Sequence, residues 1–302
     1  MWLIYSLLSA FFIAVADALS KKALNTESTV LIAWVRYAYA VPFLLITIPF
    51  IDLPEFDKTF FIISLILIPL EITAVLLYMQ AIKISPLSLT LPFLSLTPVF
   101  LILTSYFIIG ELPDTSGLIG ILLVAFGAYL LNIHTARYSI LGPLRAIRKE
   151  KGSLLMIAVA FIFSITSNLG KIAVQHSNPL FFSVFYTTIL SLSLFPIMFL
   201  KICNEPLSSP HYRFLKSYRS EGLIRLLRKK IFYLIGACYA IMVIFHFTAI
   251  TLTNVPYMIS VKRTSLLFGI ALGALFFGET HIKGRLTGAI IMIIGVVLIS
   301  VF

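Results

Sequence analysis

The chain has 302 residues, 60% of them hydrophobic and 12% charged, where ordinary globular usage is roughly 45–50% and 25%. That balance, with a mean hydropathy of +1.05, argues against a soluble domain and points to a chain that crosses a membrane many times. The net charge of +11 does not make nucleic acid a partner, because the basic residues gather in short connecting segments that suit an anionic cytoplasmic leaflet.

A membrane-spanning helix needs about 20 mostly apolar residues. Ten such segments follow one another, at 2–19, 29–50, 59–81, 87–109, 116–133, 153–174, 179–200, 231–252, 255–277 and 285–302. The first lacks the positive flank of a signal peptide and is read as a span. It carries Asp17, four residues before Lys21, and the second span carries Arg36 near the same membrane face; an Asp17–Arg36 structural pair is expected. Glu71 lies near the middle of the third span, two residues after Pro69. An isolated carboxylate there is costly unless protonated or paired. The fourth span has no basic residue. A basic linker at 138–151 and a basic loop at 201–230 are the two longer connections. The stretch Tyr212 to Lys230 mixes Arg and Lys with Phe214, Leu223 and Leu227. It reads equally as an amphipathic helix on the leaflet or as a cluster that sets topology. The eighth span holds Tyr239 and His246, and the ninth holds the adjacent cations Lys262 and Arg263. Each charge at the centre of a span costs roughly 2.5–3.5 kcal/mol on insertion scales. Neither of the two cysteines, Cys203 and Cys238, argues for a disulfide or a metal site.

The halves repeat. Gly110, Glu111, Gly120 and Gly127 match Gly278, Glu279, Gly288 and Gly295 at a constant offset of 168, and "FFIAVADALSKKAL" matches "FIFSITSNLGKIAV" at an offset of 150. Each half then has five spans, residues 1–137 and 152–302, and an odd number turns the second half upside down. The expected fold class is an all-α integral membrane protein of ten transmembrane helices in two inverted five-helix repeats, with the site near the midplane between them. The spaced glycines read as positions where helices approach closely. Glu111 and Glu279, just past span ends, read as structural carboxylates that meet water or a helix N-terminus.

Ten spans, the 5+5 repeat, "SKKAL" closing the first helix, Arg36 in "WVRYAYA" and a "GE" after the fourth and ninth spans resemble the drug/metabolite transporter superfamily, EamA type. That resemblance implies a secondary transporter of small metabolites, and the chain has no phosphate-binding GxxxxGK[ST] loop. "VKRTS" is similar to the ninth-span Lys-Arg pair of the triose-phosphate and sugar-nucleotide translocator branch, where the pair holds the substrate phosphate and a tyrosine like Tyr239 contacts substrate. The further fourth-span lysine of the phosphate translocators is missing here: Leu94 and Ser95 occupy the repeat positions of Lys262 and Arg263.

The expected function is secondary transport of a small organic anion by alternating access, with Lys262, Arg263, Glu71, Tyr239, His246 and Arg36 as substrate-binding residues. Lys262 and Arg263 should face a central cavity, one of them in salt-bridge reach of Glu71 and the other free for the ligand. The bland alternative for the three is a structural triad, and for His246 a polar contact between helices. Gln80, Ser95, Thr97, Asn168, Tyr186 and Tyr257 are further candidates for the cavity wall. A lipid-phosphate flippase or a broad exporter is the alternative function; a non-transporting structural or sensory protein is a third. No nucleophile–base or metal constellation argues for an enzyme, and no cofactor is expected. The expected partners are a small-molecule substrate and the lipid bilayer of a cell membrane, for a monomer or homodimer. The segments after spans one, three, five, seven and nine hold 18 of the 23 basic residues. The positive-inside rule then puts both termini outside, whereas the family resemblance implies termini in the cytoplasm.

Overall fold

The computed structural model describes residues 1–85, 91–131, 151–203, 228–277 and 286–301. Gly278, Glu279, Arg285, the linker residues 138–150 and the loop residues 204–227 lie outside the described residues. Five helices are long and apolar enough to cross a bilayer: α1 (Trp2–Leu24), α4 (Lys58–Ile84), α7 (Lys151–Gln175), α8 (Pro179–Cys203) and α9 (Lys230–Thr251). Shorter apolar helices lie between and after them: α2 (Thr29–Ala38), α3 (Val41–Leu45), α5 (Leu96–Ile109), α6 (Thr115–Leu130), α10 (Val255–Lys262), α11 (Ser265–Phe277) and α12 (Leu286–Val301). The described residues contain no strand. In hydrocarbon that is the expected economy, because helices satisfy their own backbone polar groups.

Three segments read as continuous spans are interrupted. The second stops as an α-helix at Ala38, turns through Tyr39 and Ala40, and resumes as α3. Pro42 and Pro49 lack the N–H that an unbroken helix needs there. The fourth opens with a 3₁₀ turn at Leu91–Ser95 before α5. The ninth breaks at Arg263 and Thr264, between α10 and α11. Leu94 and Ser95 are the repeat positions of Lys262 and Arg263, so both halves lose regular helix at the same place.

Helices α6 and α12 pack closely along paired glycines. A Cβ on Gly120 would lie 2.8 Å from the Gly295 carbonyl oxygen, and one on Gly127 would lie 2.7 Å from the Gly288 oxygen. The reciprocal contacts are as close, 2.7 Å from Gly295 to the Gly120 oxygen and 2.6 Å from Gly288 to the Gly127 oxygen. Because Gly120 meets Gly295 and Gly127 meets Gly288, the two helices run antiparallel. Ile121, Val124, Met292 and Ile299 complete their buried seam. The larger core is built by α1 against α9, α4 against α7 and α2 against α8.

Polar groups at the helix ends sort into two sets. Lys21, at the end of α1, donates to the carbonyls of Ile82 and Ser85 at the end of α4, and Lys83 donates to the Glu27 carbonyl at 3.2 Å. Glu27 also forms an ion pair with Lys229, just before α9. In the other set, Asp57 caps the start of α4 through the Phe60 N–H and pairs with His176, just after α7, at 2.8 Å. Asp114 caps α6: its Oδ1 accepts from the Gly117 N–H at 2.6 Å and the Ser116 hydroxyl at 2.8 Å. The first of these bonds is the main reason its carboxyl sits below its ordinary value. Thus α1 ends where α4 ends, and α7 ends where α4 begins.

The glycine seam sets a prediction. Gly127→Leu or Gly295→Leu must push backbone away from backbone, so each variant should melt several degrees lower in detergent than the unaltered protein. Unchanged melting of both would mean the seam does not hold the helices together.

Candidate functional site

One cavity of about 200 Å³ lies where α1, α2, α4, α7, α8, α9, α10 and α11 converge. All six residues singled out by sequence line it: Arg36, Glu71, Tyr239, His246, Lys262 and Arg263. Asp17, Tyr37, Tyr78, Thr166, Ser167 and Tyr186 line it too.

Its charges fall into two groups. Asp17 and Arg36 form the expected pair, with Arg36 Nη2 donating to Asp17 Oδ1 at 2.5 Å. Further bonds support the pair: Arg36 also donates to Ser20 Oγ at 3.2 Å, and the Tyr78 hydroxyl donates to Asp17 Oδ2 at 2.6 Å, while the Arg36 Nε has no acceptor. The guanidinium lies 5.5 Å from the Tyr78 ring centre and 5.7 Å from that of Tyr239, close enough for cation–π attraction. These two charges cancel.

Glu71, Lys262 and Arg263 do not cancel in the same way. Lys262 Nζ donates to His246 Nδ1 at 3.2 Å, which solvates the ammonium without neutralising it. Glu71 is buried, with the hydroxyls of Tyr186 and Thr166 directed at its carboxylate. Among the described residues no ion pair joins Glu71 to either cation, so the expected salt bridge is not formed. Two hydroxyls on neighbouring helices lie beside the carboxylate instead. Arg263 is only 8% exposed and has no carboxylate partner among the described residues; its Nε is buried without a hydrogen-bond acceptor. By formal charge, Glu71 offsets one of Lys262 and Arg263 and leaves one positive charge uncompensated on the wall.

The repeat organises this wall. At offsets of 150 and 168, Asp17 matches Ser167, Arg36 matches Tyr186, Glu71 matches Tyr239, Tyr78 matches His246 and Lys262 matches Leu94. Every one of these ten residues lines the cavity. Each pair sets a different chemistry on equivalent positions, so two similar halves make one asymmetric site. That relation was available in the sequence, and it would have added Ser167 and Tyr78 to the candidates. Thr166 carried no such signal.

Four other candidates do other work. Asn168 accepts from Ser105 at 2.8 Å and donates to Thr104 at 3.2 Å, joining α7 to α5. The Tyr257 ring lies over Gly117, and its hydroxyl accepts from the Asp114 N–H at 3.0 Å. The Ser95 hydroxyl reaches toward the Ala125 carbonyl, and Gln80 is exposed. Glu111 forms an ion pair with Lys171 and accepts from the Val255 N–H at 3.0 Å, at the start of α10. Its carboxylate therefore meets a helix N-terminus as expected, though that of α10 rather than of α6. Lys171 also donates to the Thr253 carbonyl at 2.8 Å. This bond is the repeat counterpart of Lys21 to Ser85.

A bundle of apolar helices around a cavity that carries buried charges marks a multi-pass membrane protein. A family model described as the EamA-like transporter family matches residues 1–133 and 150–301, and the chain belongs to that family. It is accordingly a membrane transporter and not an enzyme. A solved crystal structure of a protein, 12% identical, is similar over 98% of both chains with a TM-score of 0.67, which shows the fold alone. No curated protein matches.

The Asp17–Arg36 pair sets the second prediction. Breaking a buried pair by removing one partner costs roughly 3–5 kcal/mol, because the other charge is stranded. Arg36→Met should therefore lower thermal stability strongly. Adding Asp17→Asn to it should restore part of the loss; no restoration would mean the two charges are not coupled.

Proposed function

We propose that this protein is a secondary transporter that carries a small organic anion by alternating access. In this reading ten segments cross the membrane as two inverted five-helix repeats, and the cavity is the substrate site between them. The opposite ends reached by α1 and α7, which share a repeat position, support the inversion, as does the antiparallel glycine seam of α6 and α12. The bond from Lys21 to Ser85 and its counterpart from Lys171 to Thr253 support a pseudo-twofold arrangement. Each joins its lysine's helix to another helix end, on opposite sides of the protein, as the interfaces that must open in turn would.

One observation carries the substrate charge: the buried Arg263 guanidinium lines the cavity with no carboxylate to balance it among the described residues. A cation in that position is expensive unless an anion joins it. A cavity of about 200 Å³ is smaller than the roughly 300–1,000 Å³ of drug-sized sites, which favours a small metabolite over a lipid phosphate or a bulky drug. The apolar wall of Leu67, Val75, Phe163 and Phe247 keeps an amphiphilic anion as the second reading.

The test is ligand-induced thermal stabilisation of the purified protein across anionic, neutral and cationic metabolites. Anions should stabilise it, Arg263→Met should abolish the effect while leaving folded protein, and small anions should outperform long-chain ones. Stabilisation by cations or neutral compounds alone would refute the anion reading.

A further inference from the structure

The break between α10 and α11 places unused backbone beside an unused cation. After Lys262 the regular i to i−4 ladder gives way to short turns: the Thr264 N–H donates to the Val261 carbonyl, that of Leu266 to Arg263 and that of Leu267 to Thr264. The intervening residue, Ser265, is left over. Its N–H takes part in none of these turn bonds, and its hydroxyl has no hydrogen-bond partner among the described residues. Ser265 opens the thirteen-residue α11 and lines the cavity, as does Arg263 two residues before it. A helix N-terminus carries partial positive charge and free N–H donors, so it favours an anion. Here a second, independent feature points the same way, since Arg263 is 92% buried and its Nε has no acceptor.

The space in front of this break is open. A Cβ built on Gly269, one turn after Ser265 on the same face of α11, would meet nothing within 4 Å, and Gly269 lines the cavity. Discontinuous helices whose half-helix N-termini aim at anionic groups are a known way to build a midplane site.

We infer that the start of α11 is the seat of the substrate's negative group, with the Ser265 N–H and hydroxyl and the Arg263 guanidinium as its donors, and that this seat takes a carboxylate monoanion rather than a phosphate dianion. The inference rests on the anion reading above and narrows it. The donors fix the position: the guanidinium fork takes both oxygens of a carboxylate, and Ser265 adds donors at one of them. The charge fixes the class. Asp17 cancels Arg36, and Glu71 balances one of Lys262 and Arg263, so a monoanion neutralises the wall and a dianion leaves it negative.

The probes are benzoate, phenyl phosphate and benzamide, tested by thermal stabilisation and by equilibrium binding to purified full-length protein. Benzoate should bind, benzamide should bind far more weakly, and phenyl phosphate should bind less tightly than benzoate at neutral pH. Ser265→Ala should weaken benzoate about tenfold, as expected for one lost hydrogen bond to a charged group, with unliganded melting unchanged. Arg263→Lys keeps the charge and loses the fork, and should weaken benzoate at least as much; it also guards against an Arg263→Met variant that does not fold. Wild-type benzoate affinity in Ser265→Ala, or phenyl phosphate binding as tightly as benzoate, overturns the carboxylate seat while leaving an anion site at Arg263. Equal binding of benzamide and benzoate overturns the anion reading beneath it.

Discussion

An ionised side chain in hydrocarbon must find a counter-charge or a polar cage, and the centre of this protein follows from how that requirement is met. Asp17 and Arg36 meet it with each other, Ser20 and Tyr78 adding hydrogen bonds to the pair, although the Arg36 Nε is left without an acceptor. Glu71 meets it with hydroxyls, and Lys262 with an imidazole. Arg263 alone of these faces the cavity without a counter-charge among the described residues, and its Nε has no acceptor. A protein selected only for stability would not keep such a group, because the charge costs energy wherever it stays unpaired. In a transporter the same cost becomes binding energy once a substrate anion arrives.

The scaffold around this site divides into parts that resist change and parts that permit it. The α6–α12 seam brings backbone against backbone at four glycines, close packing that leaves little room for sliding. The lysine bonds at the helix ends and the broken helices beside the cavity are different. Lys21 holds two carbonyls, and Lys171 holds one carbonyl and the Glu111 carboxylate, contacts that can be exchanged for water. The interruptions at Leu91–Ser95 and at Arg263 and Thr264 free backbone groups where a polar cavity can satisfy them.

Much of this could be read from the residues. Hydropathy located the helices, the two offsets matched the halves, and the cost of intramembrane charge singled out five of the six candidates that line the cavity, Tyr239 having come from the family resemblance. What the sequence hid was pairing. Glu71 and one of Lys262 and Arg263 looked like natural partners because each needs an opposite charge and they sit at similar depth. Yet Thr166 and Tyr186 reach the carboxylate and His246 reaches the ammonium. Depth along a span says nothing about which way a side chain turns, and a hydroxyl on a neighbouring helix leaves no mark in the hydropathy. The break at Arg263 was hidden for a related reason: Lys262, Arg263, Thr264 and Ser265 contain neither Pro nor Gly, so no local signal interrupts the span. Only the matching 3₁₀ turn of the other half shows that both halves share the irregularity.

The central claim is that the cavity carries net positive charge. Its most direct measure is the reactivity of one thiol placed inside it. With Cys203 and Cys238 replaced by alanine, Gly269→Cys puts a sulfur on the open wall of α11. Its modification rates by methanethiosulfonates bearing a sulfonate or an ammonium group can be compared with those of a free thiol in water. A positive cavity should favour the sulfonate reagent relative to that reference, and Arg263→Met should erase the preference. A preference for the ammonium reagent would contradict the account.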